Sequence, residues 1–114
     1  MPEPLTPPQR AALLTVLSHF ADRIERVDIY GSRAQGLFRP GSDVDLMLAG
    51  PIDWGLLARI KGALDESYLS IFADVAAYAL LEAGEFRDQV IATAKPLFER
   101  AELLAARDAA SRAA

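Results

Sequence analysis

Three stretches of the chain repeat large apolar side chains at the three- and four-residue spacing of an amphipathic helix. The first follows Thr6, which can cap a helix with Pro7 in its first position and Gln9 completing a capping box. Its apolar stripe comprises Leu13, Val16, Leu17, Phe20 and Ile24. The second follows a capping residue, Asp53, and its stripe comprises Leu57, Ile60 and Leu64. The third covers residues 82–94, where Phe86, Val90 and Ile91 are expected to face inward.

Short β-branched or alternating runs between these helices predict four strands. They lie at residues 27–30, 43–49, 69–77 and 96–98. The second run alternates, with Val44, Leu46 and Leu48 on one face and Asp43, Asp45 and Met47 on the other. Alanine weakens the third run, for which a helix from Asp74 onward is the alternative; Pro96 makes the last run an edge strand. The order of elements predicts an α/β (α+β) fold, a small mixed sheet flanked by helices.

The last residues of the chain, 99–114, are rich in alanine and arginine and have helical propensity. Their apolar face is thin, with Leu103 and Leu104 as its large members. So few large apolar side chains would gain little by folding onto their own domain. We therefore expect the tail at residues 100–114 either to fray or to dock as a helix on a partner.

Length and composition predict a single domain covering residues 1–114, with a motif-bearing core at about residues 27–99. Of the 114 residues, 52% are hydrophobic, which suffices for one modest core, and 25% are charged. The formal net charge of −4 argues against direct binding of nucleic acid, since that affinity comes from cations that neutralise phosphates. The chain has no cysteine, which excludes thiolate metal sites and cysteine nucleophiles.

The sequence also predicts neither a membrane segment nor a signal peptide. The longest uninterrupted apolar run, residues 75–81, is too short to cross a bilayer. The first residues are acidic and rich in proline, unlike a signal peptide. We therefore expect a soluble, cytoplasmic protein.

The residues that carry chemistry cluster between the first two strands. Gly31 and Ser32 directly follow the first strand, and Asp43 and Asp45 open the second. A glycine lets backbone N–H groups approach a phosphate closely, and a serine hydroxyl adds a donor. Two aspartates separated by one strand residue project side by side, and such oxygen ligands suit Mg²⁺. Either pair alone is more often a turn or a solvated strand edge, but their joint spacing favours a phosphate cradle beside a metal site.

This segment resembles the nucleotidyltransferase superfamily that includes DNA polymerase β, and most of all its minimal nucleotidyltransferases, the MNT proteins. Their pattern, Gly-Ser-x10-Asp-x-Asp, is matched without a gap by Gly31, Ser32, Asp43 and Asp45. The family places a third carboxylate on a later strand, where Asp74 stands; a helix cap or an arginine partner is the alternative role. The resemblance covers about residues 27–99 and implies a polymerase β-like nucleotidyltransferase fold.

The resemblance also implies roles for the site residues. Asp43, Asp45 and Asp74 would be the catalytic carboxylates and would bind two Mg²⁺ ions, for which Mn²⁺ can substitute, with ATP as substrate. Gly31 and Ser32 would bind the β and γ phosphates. Two arginines of the same segment, Arg33 and Arg39, either contact the triphosphate or are plain surface residues.

By the same resemblance, the chain would transfer AMP from ATP to a hydroxyl, typically of a tyrosine, on a HEPN-type toxin, and so act as the antitoxin of a toxin–antitoxin pair. The alternative is a binding module that masks its partner while its active site idles. Adenylylation of a small molecule such as an aminoglycoside is less favoured, because 114 residues leave no second domain to hold it. The intact Gly-Ser and Asp-x-Asp pairs favour the enzyme. Self-association is compatible with each hypothesis.

Overall fold

Helices and strands alternate along the part of the chain that the computed structural model describes, residues 3–113. The helices are α1 (Pro7–Ser18), α2 (Gly31–Ala34), α3 (Trp54–Asp65), α4 (Glu85–Thr93) and α5 (Arg100–Ala113). The strands are β1 (Arg26–Tyr30), β2 (Val44–Ala49), β3 (Ala73–Ala77) and β4 (Lys95–Glu99), with a 3-10 turn at Tyr78–Leu80. Within residues 3–113, no helix combines the length and the apolarity needed to cross a membrane.

The two predicted helix starts are confirmed by their capping hydrogen bonds. At α1, the Gln9 N–H donates to Thr6 Oγ1 at 3.3 Å and the Thr6 N–H donates to Gln9 Oε1 at 3.0 Å. At α3, the Leu56 N–H donates to Asp53 Oδ1 at 2.8 Å. Each cap satisfies a backbone donor that has no partner inside the helix, and this determines where the helix begins.

The strands form one sheet with the order β3-β2-β1-β4. Strand β1 runs antiparallel to both β2 and β4, whereas β2 and β3 are parallel and are joined through α3. The sheet is therefore mixed, as predicted. Strand β4 lies at one edge, where the missing N–H of Pro96 is tolerated.

One face of the sheet carries the main hydrophobic core. Alternation along the central strands turns Val27, Ile29, Val44, Leu46 and Leu48 to this face. The helices α1, α3 and α5 supply the opposing side chains, which include Leu13, Leu17, Leu57, Ile60 and Leu103. On the opposite face, the buried apolar cluster of the described residues comprises Tyr30, Met47 and Val90, the last supplied by α4. This second face is therefore the accessible one.

Three predicted elements differ from the structure in extent. Helix α1 ends at Ser18, so Phe20 and Ile24, the last members of its predicted stripe, lie in the segment between α1 and β1. Strand β3 begins at Ala73 rather than at residue 69, and Leu69 and Ile71 pack as half-buried residues of the loop before it. Helix α4 begins at Glu85 rather than at residue 82, because residues 78–80 form the 3-10 turn. The expectation that Phe86 and Ile91 face inward was wrong: they are 53% and 58% exposed, and Val90 is the buried residue of the helix.

The C-terminal tail also differs from its prediction. It forms α5, which packs against α1 rather than fraying, and Leu103 is fully buried in the main core. Arg10 and Glu102 form an ion pair at 3.0 Å between the two helices, and Arg100 Nε donates to the Ile24 carbonyl at 3.1 Å. Arg107 Nη1 also donates to Asp22 Oδ1 at 3.0 Å. The sequence argument failed because the buried Leu103, the half-buried Leu104 and these polar contacts hold the helix without a broad apolar face.

Candidate active site

A tight turn at the end of β1 forms the centre of the site. Gly31 follows Tyr30 directly and has φ +73°, in the left-handed region that glycine adopts without steric strain. A Cβ atom at this position would lie 2.7 Å from Asp45 Oδ2. The absent side chain therefore allows the turn and also leaves the space that the carboxylate of Asp45 occupies.

Strand register brings the second carboxylate to the same place. Asp45 pairs with Tyr30 on the antiparallel side and with Asp74 on the parallel side, so the three residues form one row across β1, β2 and β3. Directly paired strand residues project from the same face of a sheet. The structure thus brings Asp45 and Asp74 together on the accessible face.

The two carboxylates create a local excess of negative charge. Burial raises the pKa of the Asp45 carboxyl above its usual value, and the charges of Asp74 and Asp43 raise it further. The pKa of Tyr30 is raised to about 12, first by burial and then by Asp45 and Asp74. Carboxylate oxygens that repel one another in this way are suitable ligands for a divalent cation, whose positive charge would remove the repulsion.

Asp43 is placed differently from the other two carboxylates. It lies before the first residue of β2, is exposed, and does not line the cleft that contains Asp45 and Asp74. Among residues 3–113, no three acidic or histidine side chains approach closely enough to hold a metal ion together. Of the three predicted ligands, Asp45 and Asp74 therefore lie together as a pair and Asp43 lies nearby. Asp43 precedes β2, so strand pairing does not determine its position.

The cleft around the pair has a volume of about 400 Å³. The sheet, the first turn of α2 and one side of α4 form its walls. Its lining residues are Tyr30, Gly31, Ser32, Gln35, Asp45, Asp74, Phe86, Gln89, Val90 and Thr93. Gly31 and Ser32 thus face the same space as the carboxylates, as their spacing predicted. A larger groove between α1 and the end of α3 has no comparable group of carboxylates.

The prediction that Arg33 contacts a triphosphate disagrees with the structure. Its side chain is buried and donates to the carbonyl oxygens of Pro4, Pro40, Ser42 and Asp43 at 2.7–3.3 Å. Its guanidinium also stacks on the Phe38 ring, 4.5 Å from the centroid. The loop between α2 and β2 has no sheet ladder to satisfy its carbonyls, and the five N–H donors of an arginine meet this need. Arg33 therefore holds the loop that carries Asp43.

Arg39 is exposed in the same loop, where its backbone N–H donates to Ser42 Oγ at 3.1 Å. Its proposed contact with a triphosphate stays a prediction.

Sequence reasoning missed the α4 wall of the cleft and a polar network beside it. Phe86, Gln89 and Thr93 recur at helical spacing, a signal that does not distinguish a core face from a cleft face. In the network, Arg26 donates to both oxygens of the buried Asp28 at 2.7 and 3.0 Å, and Tyr78 Oη donates to Asp28 at 2.6 Å. Burial and the Asp28 carboxylate raise the pKa of Tyr78 to about 12.

A glycine turn and paired aspartates lie together on the open face of a mixed sheet. The family model described as "Polymerase beta, Nucleotidyltransferase" matches residues 13–103, and the chain belongs to this family. No curated protein matches the chain in sequence.

Solved structures similar to the chain include two toxin–antitoxin structures at TM-scores above 0.6. A toxin–antitoxin with AMP-PNP is 18% identical at a TM-score of 0.63, covering 91% of this chain and 86% of that chain. A mutant of the toxin–antitoxin MntA-HpeT is 13% identical at a TM-score of 0.62, covering 91% of this chain and 88% of that chain. At these identities the likeness establishes a shared fold.

Proposed function

We propose that this protein transfers AMP from ATP to a hydroxyl of a partner protein and thereby acts as an antitoxin in the cytoplasm. The observation that carries the proposal is the row of Asp45 and Asp74 beside the Gly31 turn, in a cleft on the open face of the sheet. Backbone N–H groups at a glycine turn can bind phosphate, and a cation held by carboxylates can stabilise the charge that develops in phosphoryl transfer.

Each group then has a task in the transfer. Backbone N–H groups at Gly31 and the hydroxyl of Ser32 bind the β and γ phosphates and orient the leaving group. Asp45 and Asp74 would hold Mg²⁺ or Mn²⁺, with Asp43 nearby, and the metal would neutralise phosphate charge and lower the pKa of the attacking hydroxyl. The acceptor oxygen bonds to the α phosphorus, the bond to pyrophosphate breaks, and Asp74 receives the hydroxyl proton.

The exposure of the site supports a macromolecular acceptor. Asp43 and Asp74 are both exposed, so a side chain presented by another protein can reach the reacting atoms. We propose that the acceptor is a tyrosine of a HEPN-type toxin. The similar toxin–antitoxin structures, one of them with AMP-PNP, support a toxin as the partner. Masking of the toxin without transfer is the alternative.

The test is incubation with α-labelled ATP, Mg²⁺ and the product of the neighbouring gene, followed by mass spectrometry of both proteins. We expect a mass increase of one AMP on a tyrosine of the partner, and its loss in Asp45→Asn. Asp43→Asn shows whether the exposed carboxylate takes part. Asp65→Asn, an exposed carboxylate at the end of α3, is the matched control and should transfer normally. A complex that forms without transfer would favour masking.

A further inference from the structure

Helix α4 presents side chains to the cleft that have no task in the transfer described above. Phe86, Gln89, Val90 and Thr93 recur at intervals of three and four residues, so they share one face of the helix, and all four line the cleft. Val90 is buried in the cluster with Tyr30 and Met47. The other three leave part of their surface in the cleft.

Phe86 is the large apolar residue of this wall. Its ring meets the Tyr30 ring at 79° with the centroids 6.1 Å apart, and 53% of the residue remains exposed. A T-shaped contact with one neighbour uses at most one face of the ring. The other face remains available to a flat aromatic ligand, whose binding would remove apolar surface from water.

Gln89 lies one turn further along the same face. Among residues 3–113, its side-chain amide makes no hydrogen bond, while its backbone carbonyl accepts from Thr93 Oγ1 at 2.9 Å. A primary amide offers one acceptor and two donors in one plane. This pattern complements the edge of adenine, which presents a donor at N6 and an acceptor at N7, whereas guanine has acceptors at both positions.

We propose that the α4 wall is a purine subsite in which Phe86 stacks on the base and Gln89 pairs with the edge of adenine. The inference rests on the proposed function, because it assumes that the turn at Gly31 holds the phosphates of the same nucleotide. The cleft volume of about 400 Å³ lies within the range of small-molecule sites. The subsite shares this cleft with Asp45 and Asp74, so one nucleotide could reach both.

The test compares the affinities of ATP and inorganic tripolyphosphate, each with Mg²⁺, by calorimetry on the whole protein. Phe86→Ala should weaken the binding of ATP about tenfold and leave the affinity for tripolyphosphate unchanged, since stacking on an aromatic ring contributes strongly to the binding of each base. Phe86→Leu keeps apolar contact with Tyr30 but has no ring, and its affinity for ATP should fall by the same factor. Phe86→Tyr should retain ATP. Ile91→Ala, an exposed apolar position of α4 outside the cleft, is the matched control.

Gln89→Ala should reduce the preference for ATP over GTP by about tenfold. The subsite would be overturned if Phe86→Ala and Phe86→Leu both lost affinity for ATP and for tripolyphosphate equally at an unchanged melting temperature. It would also be overturned if both variants bound ATP with unchanged affinity. The proposed function fails in a different way: a wild-type protein that binds ATP through Phe86 but transfers no AMP would overturn the transfer and leave the subsite standing.

Discussion

Replacement of Gly31 by alanine should damage the protein in two separable ways. At φ +73° an alanine adopts a left-handed conformation, which costs roughly 1–2 kcal/mol. The new Cβ would also lie 2.7 Å from Asp45 Oδ2, whereas ordinary carbon–oxygen contacts begin near 3.3 Å. Asp45 must therefore move by roughly half an ångström, away from its position beside Asp74.

The expected size of each effect follows from these numbers. A loss of about 1–2 kcal/mol lowers the melting temperature of a domain of this size by roughly 5–10 °C. Displacement of Asp45 by roughly half an ångström should reduce transfer by about tenfold even when the protein is fully folded, because a misplacement of about 1 Å costs about a hundredfold. The melting curve, recorded with and without Mg²⁺ and ATP, and the transfer rate well below the transition report the two effects separately.

Two other glycines serve as controls. Gly41, in the loop before β2, has open space around its missing Cβ, so Gly41→Ala should leave both readouts unchanged. Gly50 has φ +129°, and its Cβ would lie 2.5 Å from the backbone oxygen of Arg23, far from the cleft. Gly50→Ala should therefore destabilise the fold yet spare transfer by the folded fraction. A Gly31→Ala protein with wild-type melting temperature and wild-type transfer would refute the reasoning.

Three further predictions concern the rest of the fold. Arg33→Lys should destabilise the protein by about 2–3 kcal/mol in urea unfolding, because a lysine cannot serve four carbonyls; an unchanged midpoint would contradict the role of Arg33. Leu103→Ala should lower the free energy of unfolding by about 2–4 kcal/mol, and Leu104→Ala, at a half-buried position, should lower it by less. Equally small losses in the two variants would mean that α5 is not docked. The pKa of Tyr78 is raised to about 12 in the folded state, which favours the neutral phenol. The stability that the neutral phenol contributes to the fold is complete below pH ~10 and is lost as the pH rises through about 12. Unfolding free energies across this range should fall less steeply in Tyr78→Phe, and identical slopes would count against the contact with Asp28.

The elements that the sequence predicted well are those whose determinants are local. The capping box at Thr6 and the cap at Asp53 lie within four residues of the groups they satisfy, and both are present. The alternation of β2 likewise assigns Asp45 and Leu46 to opposite faces without knowledge of any partner. The glycine turn could be predicted from its position directly after a strand.

The parts that were predicted wrongly depend on distant partners. Arg33 looked free because two of its acceptors, the carbonyls of Pro4 and Ser42, come from separate parts of the chain. The apolar spacing of α4 is the same whether Phe86 faces a core or a cleft, and only the position of the helix on the sheet decides between them. Leu103 gains its burial from α1, at the other end of the sequence.

The position of Asp74 on an edge strand affects which inactive variant is useful in the laboratory. In the described part of the chain, β3 pairs with β2 alone, and Asp74 is the charged residue of β3. Charged side chains on open edges oppose the pairing of one sheet with another and thus oppose aggregation. Asp74→Asn would leave the edge as Ala-Asn-Val-Ala-Ala, a short uncharged strand with unpaired backbone groups. Asp45 lies on an interior strand, so Asp45→Asn removes the carboxylate without removing this protection and is the better inactive protein for capturing a partner.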